Sequence, residues 1–314
     1  MKELIVGSRG SALALTQSGL MIDALETRHP NVVCRVQVIK TKGDTIQDAP
    51  LAKIGDRGLF VKEIEQALID GEIDFAVHSA KDLPSDVPDP LMIAAFPERE
   101  NPADVLVSKA GILQDLPKGA TIGTSSLRRR AQILHARPDI RVADLRGNLD
   151  TRLRKLDEDH YDAVILAGAG LRRLGLGDRI TQVLPFDICL PCAGQGALAI
   201  QCRKGDLVAE LLRDLDDPAT RACVEAERAL LMRLGAGCRT PVAALARVTD
   251  AGAIDMQALV AGLDGHTIVR RAMSGNMNSP EELGRRLAEE LLDSPAAALL
   301  DEARRADGLM GAAG

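Results

Sequence analysis

The segment Leu4-Ile5-Val6-Gly7-Ser8-Arg9-Gly10-Ser11 predicts a buried strand that runs into a polar, glycine-bearing turn. Ser11 is a good N-cap for a helix whose apolar residues recur at helical spacing until His29-Pro30 ends it. This order places Arg9 and Ser11 at a helix N-terminus, where backbone N–H groups attract anions. A plain helix cap with a solvated arginine explains the same residues equally well.

Length and composition limit the class of protein. A chain of 314 residues exceeds a usual single core, so we expect two or three domains. The net charge of -6 argues against non-specific nucleic-acid binding, and an aromatic content of 2% excludes base stacking. Irregularly spaced cysteines, without a signal-peptide-like start or a run of 18 apolar residues, predict a soluble protein of a reducing compartment, by default the cytoplasm.

A candidate functional carboxylate follows a later predicted strand. The strand from Asp74 to Val77 runs into His78-Ser79-Ala80-Lys81-Asp82-Leu83-Pro84. Ligands bind at the carboxyl ends of strands in open α/β sheets, which singles out Asp82. A turn-forming aspartate before Pro84 is an equally good explanation.

Two connecting segments carry no clear secondary-structure pattern. Residues 40–59 form a long polar stretch, which inside a compact domain predicts a functional loop or lid. Pro97-Glu98-Arg99-Glu100-Asn101-Pro102 is charged and flanked by prolines, and it predicts a hinge to a second domain.

The second half repeats the alternation of strand and helix. Gly123-Thr124-Ser125-Ser126-Leu127-Arg128-Arg129-Arg130 opens a helix with hydroxyls at the cap and arginines in the first turns. Such arginines pair bidentately with carboxylates or phosphates, but they oppose the helix dipole unless an anion compensates. We therefore predict a ligand anion here, with an exposed basic face as the alternative.

Further basic residues follow the next two strands. The strand Ile140 to Leu145 leads into Arg146-Gly147-Asn148 and a helix that carries Arg152. The strand Ala163 to Ala167 ends in Gly168-Ala169-Gly170-Leu171-Arg172-Arg173. This stretch lacks the third glycine and the acidic partner of a dinucleotide fingerprint, so we reject that site.

A C-x-x-C pair, Cys189 and Cys192, is compatible with a redox function. No second pair or histidine cluster completes a metal site in the sequence. Redox activity would also need the dithiol to open a helix, so we treat it as the lesser alternative. The apolar strand Ala197 to Cys202 then returns the chain to the first sheet.

Past Asp216-Asp217-Pro218 the pattern changes. A helix from about 219 to 234 is followed by three predicted strands and a last helix that begins after Ser279, before a frayed Gly- and Ala-rich tail from Ala303. Short turns between the strands indicate a small antiparallel sheet with helices on one face. The predicted strands span residues 242–248, 256–262 and 267–272.

A thiol lies in a glycine-rich turn between that helix and the first of these strands, in the segment Leu234–Pro241. Gly235 and Gly237 permit positive φ, and Pro241 prevents the helix from continuing, so Cys238 should lie on a loop. Most free cysteines are buried and inert. The amphipathic helix before the turn, the basic residue after it and the anion-binding segments elsewhere favour a functional thiol.

Taken together, these segments resemble the porphobilinogen deaminase (hydroxymethylbilane synthase) family. They match in the family's order over essentially the whole chain. The matching segments are Gly7–Ala14, Gly58–Glu63, Ala76–Pro84, Gly123–Arg129, Leu145–Asn148 and Gly194–Gly196.

The resemblance implies an α/β fold with two periplasmic-binding-protein-like domains of mixed sheets, joined by a hinge. A small α+β domain with a three-stranded antiparallel sheet would follow. The implied boundaries are 1–97 with 197–215 for domain 1, 98–196 for domain 2 and 216–314 for domain 3.

The resemblance also implies a transferase that condenses four porphobilinogens head to tail, with loss of ammonia, and releases hydroxymethylbilane by hydrolysis. It implies a dipyrromethane cofactor joined by a thioether to Cys238, and Asp82 as the catalytic carboxylate. Residues matched to cofactor binding are Lys81, Ser79, Thr124, Ser125, Ser126, Arg128, Arg129, Arg146, Gly147 and Arg152; those matched to substrate are Arg9, Ser11, Phe60, Arg173 and Gln195. No metal, nucleic acid or membrane is implied, and the expected state is a monomer.

The chemistry suits these assignments. Loss of ammonia from porphobilinogen leaves a cationic electrophile, whose charge Asp82 would stabilise. At an effective dielectric of about 20 and a separation of about 4 Å the interaction is worth about 4 kcal/mol, or about three decades of rate if it exists only in the transition state. Cys238 as a thiolate would attack such an electrophile once, which makes a stable anchor.

The sequence departs from the family's usual pattern at four places. Glycine is usual at Ala236, a glycine and a lysine are commoner at Asp56-Arg57, and a small apolar residue is usual at Cys192. Gln201 stands where glutamate is usual. None of these changes removes a residue assigned to the chemistry.

Two other classes of function remain open at this stage. A two-domain receptor or sensor for anions would use the same arginines and hinge, but it would not need Cys238 or Asp82. A C-x-x-C oxidoreductase would need Cys189 and Cys192 instead.

Overall fold

The computed structural model describes residues 2–41, 61–84, 86–237 and 240–312. Residues 42–59 of the predicted lid, Phe60 and Cys238 lie outside these ranges.

The described chain divides into two compact units. The first contains the described residues up to Glu100 together with Ala197–Arg221, and the second contains Asn101–Gly196 and Ala222–Gly314. The chain therefore leaves the first unit within the predicted hinge segment, Pro97–Pro102. The division into three domains stays a prediction.

Strands and helices alternate through the first two thirds of the chain. The strands are β1 (Lys2–Ser8), β2 (Val32–Val38), β3 (Phe75–Ser79), β4 (Leu91–Ala95), β5 (Asp104–Ser108), β6 (Thr121–Gly123), β7 (Arg141–Ala143), β8 (Ala163–Ala167), β9 (Gln182–Val183), β10 (Leu198–Arg203), β11 (Val242–Val248), β12 (Ala253–Ala261) and β13 (Ile268–Asn276). The helices are α1 (Ala12–Arg28), α2 (Lys62–Ile69), α3 (Leu127–Ala136), α4 (Leu149–Asp157), α5 (Gly168–Arg173), α6 (Val208–Arg213), α7 (Pro218–Leu234), α8 (Pro280–Leu292) and α9 (Ala296–Ala312).

The first unit contains a mixed five-stranded sheet with the order β2-β1-β3-β10-β4. β1 pairs in parallel with β2 and β3, whereas β10 runs antiparallel to β3 and β4. The predicted return of the chain to the first sheet is confirmed, because β10 lies between two strands from the N-terminal part.

The second unit contains a mixed sheet with the order β7-β6-β8-β5-β9. β6 pairs in parallel with β7 and β8, and β5 runs antiparallel to β8 and β9. With β6 taken as the counterpart of β1, the two sheets have the same strand order and the same strand directions. The α/β class with two mixed-sheet domains is confirmed.

The second unit also contains the predicted three-stranded antiparallel sheet, in the order β11-β12-β13. α8 packs closely on α7, because a Cβ atom added to Gly284 would lie 2.1 Å from Ala226 O. The predicted frayed tail from Ala303 is wrong: α9 continues to Ala312. Alanine, the best helix former, outweighs the glycines of this stretch.

The cores are largely aliphatic, as the low aromatic content predicts. In the first unit Leu4, Val6, Phe75 and Ile200 are buried between the sheet and its helices. In the second unit a cluster that includes Ala131 of α3 and Leu259 of β12 packs the three-stranded sheet against the mixed-sheet part. Within the described ranges, no helix has the length and apolar composition needed to span a bilayer.

Candidate functional site

The first unit brings several predicted site residues to one edge of its sheet. β1 and β3 are parallel neighbours, with Val6 opposite Phe75 and Gly7 opposite Ala76. Their carboxyl ends therefore lie side by side, at the edge where open α/β sheets bind ligands. The predicted residues that follow these two ends are Arg9, Ser11, Ser79, Lys81 and Asp82.

The start of α1 is organised as predicted. Ser11 is the N-cap and its Oγ accepts a hydrogen bond from Ala14 N at 3.3 Å. The first turn holds no acidic residue, so the remaining N–H groups and the positive end of the helix favour an external anion. Gln17, buried on α1, donates to Ser79 Oγ at 3.1 Å and accepts from it at 3.3 Å. These bonds fix α1 against the end of β3.

Asp82 ends a single 3₁₀ turn, Ala80–Asp82, directly after β3. Ala80 N donates to Ala197 O at 3.0 Å and Leu83 N donates to Ala80 O at 3.3 Å, which anchors the turn. Asp82 is exposed and Lys81 is half-buried. Because the turn is anchored and the carboxylate is exposed, Asp82 can interact with a positively charged group of a bound molecule.

Buried polar side chains lie behind that turn. His78 is 6% exposed, and fully buried Gln201 donates from Nε2 to Glu65 Oε1 at 3.0 Å. Burial lowers the pKa of His78 to about 4; the nearby Gln201 side chain opposes this shift and the charge of Arg9 adds to it. Burial raises the pKa of Glu65. His78 is therefore neutral at physiological pH.

The second unit has a corresponding edge. β6, β7 and β8 are parallel neighbours, so the segments that follow them meet at one side of the sheet. Ser125 Oγ accepts from Leu145 N at 3.0 Å and donates to Leu145 O at 3.1 Å. Ser126 caps α3 by accepting from Arg129 N, and Thr124 is buried beside it.

Basic residues lie in the segments that follow β7 and β8. Gly147 has φ +111°, and a Cβ atom there would lie 2.6 Å from Thr151 Cγ2, so only glycine fits. Arg152 Nε donates to Gly147 O at 2.7 Å. Arg146 is half-buried, and Arg173 Nη2 donates to Gly196 O at 2.6 Å. The second unit thus has hydroxyl and guanidinium donors in the segments that follow β6, β7 and β8.

The anion that compensates the arginines of α3 is part of the protein. Arg128 Nη1 donates to Asp104 Oδ2 at 2.6 Å, and Arg129 Nη2 donates to Asp104 Oδ1 at 2.7 Å. Although burial raises the pKa of Asp104, the two guanidinium charges outweigh it and hold that pKa well below its usual range. The inference that the helix dipole requires a ligand anion is therefore wrong, because Asp104 supplies the charge. A direct role of Arg128 and Arg129 in binding cofactor stays a prediction.

Gln195 is 1% exposed and belongs to the same cluster. Its Nε2 donates to Pro102 O at 2.7 Å and to Asp104 Oδ1 at 2.8 Å. These bonds hold together the two chain segments that enter and leave the second sheet. The predicted contact of Gln195 with substrate stays a prediction.

The C-x-x-C pair is not arranged as an exposed dithiol. Cys189 is fully buried and its Sγ lies 3.3 Å from Asp104 Oδ2. Burial, together with the negative charge of Asp104, raises the pKa of the Cys189 thiol. A protonated, buried sulfur is a poor nucleophile. The described residues contain no group of three or more histidine, cysteine or acidic side chains that could hold a metal ion.

The residues on both sides of Cys238 are well anchored. Ala236 N donates to Leu231 O at 2.9 Å and Gly235, with φ +58°, ends α7 in a Schellman-type cap. On the far side, Thr240 Oγ1 accepts from Gly237 N at 3.1 Å and donates to Gly237 O at 2.7 Å. Cys238 itself lies outside the described residues.

Two family models match this chain. "Porphobilinogen deaminase, dipyromethane cofactor binding domain" matches residues 4–210, and "Porphobilinogen deaminase, C-terminal domain" matches residues 221–293. The chain belongs to the porphobilinogen deaminase family. The resemblance noted in the sequence is thereby confirmed.

Curated members of the family match almost end to end. The porphobilinogen deaminase of Desulforudis audaxviator is 52% identical over 96% of this chain and 98% of its own. That of Moorella thermoacetica is 50% identical over 98% of this chain and 99% of its own. That of Carboxydothermus hydrogenoformans is 49% identical over 97% of this chain and 98% of its own.

Two solved structures show limited similarity to this chain. The VFT2 domain of Bordetella pertussis BvgS has a TM-score of 0.40 at 16% identity, covering 68% of this chain and 85% of its own. A periplasmic binding protein of Salmonella typhimurium has a TM-score of 0.37 at 14% identity, covering 70% of this chain and 94% of its own. The fold assignment rests on the strand orders of the two mixed sheets.

The donor sets at the two edges fit the family's cofactor chemically. A dipyrromethane carries carboxylate side chains, and carboxylates are bound by guanidinium, ammonium, hydroxyl and backbone N–H groups. The second unit offers Ser125, Arg146 and Arg152. The turn at Gly147 has no space for a Cβ atom, because Thr151 lies against it. The first unit offers Lys81 and the N-terminus of α1.

Two structural carboxylates escaped the sequence analysis. In the sequence nothing marks Asp104, the first residue of β5, and its importance follows only from its contacts with the α3 arginines. Glu227, on α7 and fully buried, accepts from Gly194 N at 2.6 Å and from Ala246 N at 2.8 Å. The charge of Glu227 within an otherwise apolar helix face was the signal that could have revealed it.

Proposed function

We propose that this chain condenses four porphobilinogen molecules head to tail, with loss of ammonia, and releases hydroxymethylbilane by hydrolysis. The observation that carries the proposal is the match to curated porphobilinogen deaminases at about 50% identity over at least 96% of the chain. The arrangement of charged groups at the two sheet edges supports it.

The basic residues suit a substrate that accumulates negative charge. Each porphobilinogen brings an acetate and a propionate, so every condensation adds two carboxylates. In the first unit Arg9, Ser11 and Lys81 bind such groups, helped by the dipole of α1. In the second unit the donors are Thr124, Ser125, Ser126, Arg128, Arg129, Arg146, Arg152 and Arg173.

Asp82 acts as an electrostatic stabiliser. Departure of ammonia leaves positive charge shared with the pyrrole N–H, and a carboxylate within about 4 Å stabilises it by about 4 kcal/mol at an effective dielectric of about 20. The anchored turn after β3 keeps this group in place while leaving it exposed. Preorganisation of this kind costs no rearrangement during the reaction.

Cys238 holds the dipyrromethane cofactor through a thioether, and the bound cofactor supplies the pyrrole end to which substrate is added. The thiol would lose its proton, and its sulfur would form one bond to the carbon from which ammonia has departed, a bond that later turnovers leave intact. Gly237 and Thr240 hold the chain on either side of this attachment point. Ser79 and Gly147 contribute to the cofactor site through their turns, and Phe60, Gln195 and Arg173 contribute to substrate binding.

The enzyme works as a monomer in the cytoplasm, on a small-molecule substrate, without nucleic acid or membrane. A receptor for anions would need neither Cys238 nor Asp82, and the family match favours the enzyme over that alternative.

Intact-mass analysis of the purified chain tests the proposal. We expect an excess mass of one dipyrromethane, located by peptide mapping on Cys238, together with release of four ammonia per hydroxymethylbilane formed. Cys238→Ser should abolish the excess mass, with Cys34→Ser as the matched control. An unmodified thiol in freshly purified, active protein, or a normal dipyrrole mass on the Cys238→Ser variant, would refute it.

A further inference from the structure

A buried pair of side chains lies directly behind the turn that carries Asp82. In the antiparallel ladder of β3 and β10, His78 is opposite Ala199 and Ala76 is opposite Gln201. Side chains two residues apart in a strand point to the same face. His78 and Gln201 are therefore diagonal neighbours on one face of the sheet, within reach of each other's long side chains.

Each member of the pair has one polar atom without a partner. His78 Nε2 and Gln201 Oε1 are both buried, and neither makes a hydrogen bond within the part of the chain that the structure describes. Buried polar atoms are nearly always hydrogen-bonded, to protein or to ordered water. The two atoms are complementary, since a ring nitrogen that carries hydrogen donates and a carbonyl oxygen accepts.

Glu65 decides which end of the Gln201 amide faces the imidazole. Gln201 Nε2 donates to Glu65 Oε1 at 3.0 Å, with the carboxyl oxygen as the acceptor. The amide nitrogen is therefore committed to Glu65, and the carbonyl oxygen is left for His78. An oxygen at this place selects the imidazole tautomer that carries hydrogen on Nε2.

We propose that His78 is a positioning residue for the reaction, whose neutral imidazole donates its Nε2–H to Gln201 Oε1, directly or through one buried water. The chain Glu65–Gln201–His78 then joins α2, β10 and β3 immediately before the Asp82 turn. It holds the end of β3, and with it the carboxylate, in the orientation that catalysis needs. This inference rests on the proposed function for the role of Asp82, but not for the hydrogen bond itself.

Burial keeps the imidazole neutral, and the charge of Arg9 acts in the same direction. The positive charge of Arg9 lowers the pKa of His78, because it repels the positive charge of a protonated imidazole. Glu65, one of the two acidic residues on α2, is already bonded to Gln201, and its pKa is also affected by the charge of Lys62. A protonated His78 would thus be a buried cation without its own counter-charge, and the end of β3 would have to open to hydrate it.

The hydrogen bond can be observed in the unmodified holoenzyme. Two-dimensional ¹H–¹⁵N spectra of the histidine rings distinguish the Nε2–H from the Nδ1–H tautomer, with assignment of His78 through a His78→Gln variant. We expect the Nε2–H tautomer, with no titration above about pH 5. An Nδ1–H tautomer, or titration near the ordinary histidine value, would overturn the proposal.

The positioning role is tested with variants of Gln201 that keep or remove the acceptor. Gln201→Leu should lower kcat about tenfold with KM within about twofold, because one buried hydrogen bond is lost without a contact to substrate. Gln201→Glu, the family's usual residue, keeps an acceptor and should restore kcat to within about twofold. It should also raise the His78 pKa by at least about one unit, since a carboxylate favours the imidazolium. Gln66→Leu and Gln66→Glu, on the exposed side of α2, are the matched controls.

The outcomes separate this inference from the proposed function. Unchanged kcat in Gln201→Leu, or equal losses in the leucine and glutamate variants, would refute positioning by His78. Hydrogen exchange at the amides of 80–82 should be faster in Gln201→Leu, and unchanged exchange would also count against it. If Asp82→Ala retained normal ammonia release, the function assigned to Asp82 would fail whatever the His78 tautomer.

Discussion

Arg129 donates to Asp104 Oδ1 from both Nε and Nη2, at 2.9 and 2.7 Å, in the interior of the second unit. Asp104 is 0% exposed, and Arg128 occupies its other oxygen. Removing one member of a buried ion pair leaves an uncompensated charge, which costs about 3–5 kcal/mol. Asp104→Asn should therefore lower the free energy of unfolding by several kcal/mol, measured by urea denaturation. Asp157→Asn, which removes an exposed pair with Arg179, should cost less than about 1 kcal/mol; equal effects would contradict the argument.

Asp82→Ala should abolish turnover while the protein stays folded. The side chain is exposed, so its loss disturbs no core, but the transition state loses about 4 kcal/mol, or about three decades of rate. Ammonia release and far-UV circular dichroism measure the two effects. Asp86→Ala, in the exposed segment that follows, should release ammonia normally. Wild-type-like release by Asp82→Ala would remove this residue from the mechanism.

Stability should fall as the solution is acidified from about pH 6.5 to about pH 4. Burial lowers the pKa of His78 from 6.5 to about 4, so in this window the unfolded chain binds a proton that the folded chain does not. The free energy of unfolding should therefore rise with pH across the window, by about 3 kcal/mol in all. His78→Gln should flatten the curve, as seen in urea titrations at several pH values. His160→Gln, at an exposed position, should leave it unchanged, and a His78→Gln curve as steep as the wild type would refute this origin.

Two glycine-to-alanine substitutions should have opposite signs. At Gly284 of α8 the new Cβ would lie 2.1 Å from the Ala226 carbonyl oxygen, a backbone atom that cannot move aside cheaply. Gly284→Ala should destabilise the protein by at least about 1–3 kcal/mol despite the better helix propensity of alanine. Gly19 of α1 has no atom within 4 Å of such a Cβ, so Gly19→Ala should stabilise by about 0.5–1 kcal/mol. Thermal midpoints of both variants, measured with the same loading of cofactor, decide the matter.

Cys192→Ala should retain full activity. Its C-x-x-C partner, Cys189, is buried beside Asp104, and burial raises the pKa of that thiol. Turnover assayed with and without a dithiol reductant tests this expectation. Loss of activity in Cys192→Ala, or a dependence on reductant that the variant abolishes, would revive the oxidoreductase alternative.

Features set by local sequence were predictable. The capping hydroxyls of Ser11 and Ser126 follow from short-range hydrogen-bonding rules, and the structure confirms both. The return strand, β10, followed from its apolar run. The position of Asp82 at the carboxyl end of a strand came from periodicity alone.

Features that depend on distant partners were not predictable. The arginines of α3 implied an anion, but whether that anion was a ligand or Asp104 depends on contacts across 24 and 25 residues of chain. The orientation of the Gln201 amide depends on Glu65, 136 positions away. Side-chain networks of this kind follow from the tertiary fold, which a single sequence does not contain.

The placement of β10 has a consequence for synthesis of the protein on the ribosome. The sheet that begins at Lys2 is completed only when Leu198–Arg203 inserts between β3 and β4. The part of the nascent polypeptide made earlier must therefore wait, with strand edges unpaired, until residues 198–203 have been synthesised. The intervening sheet, whose strands all lie between Asp104 and Val183, can form during that wait.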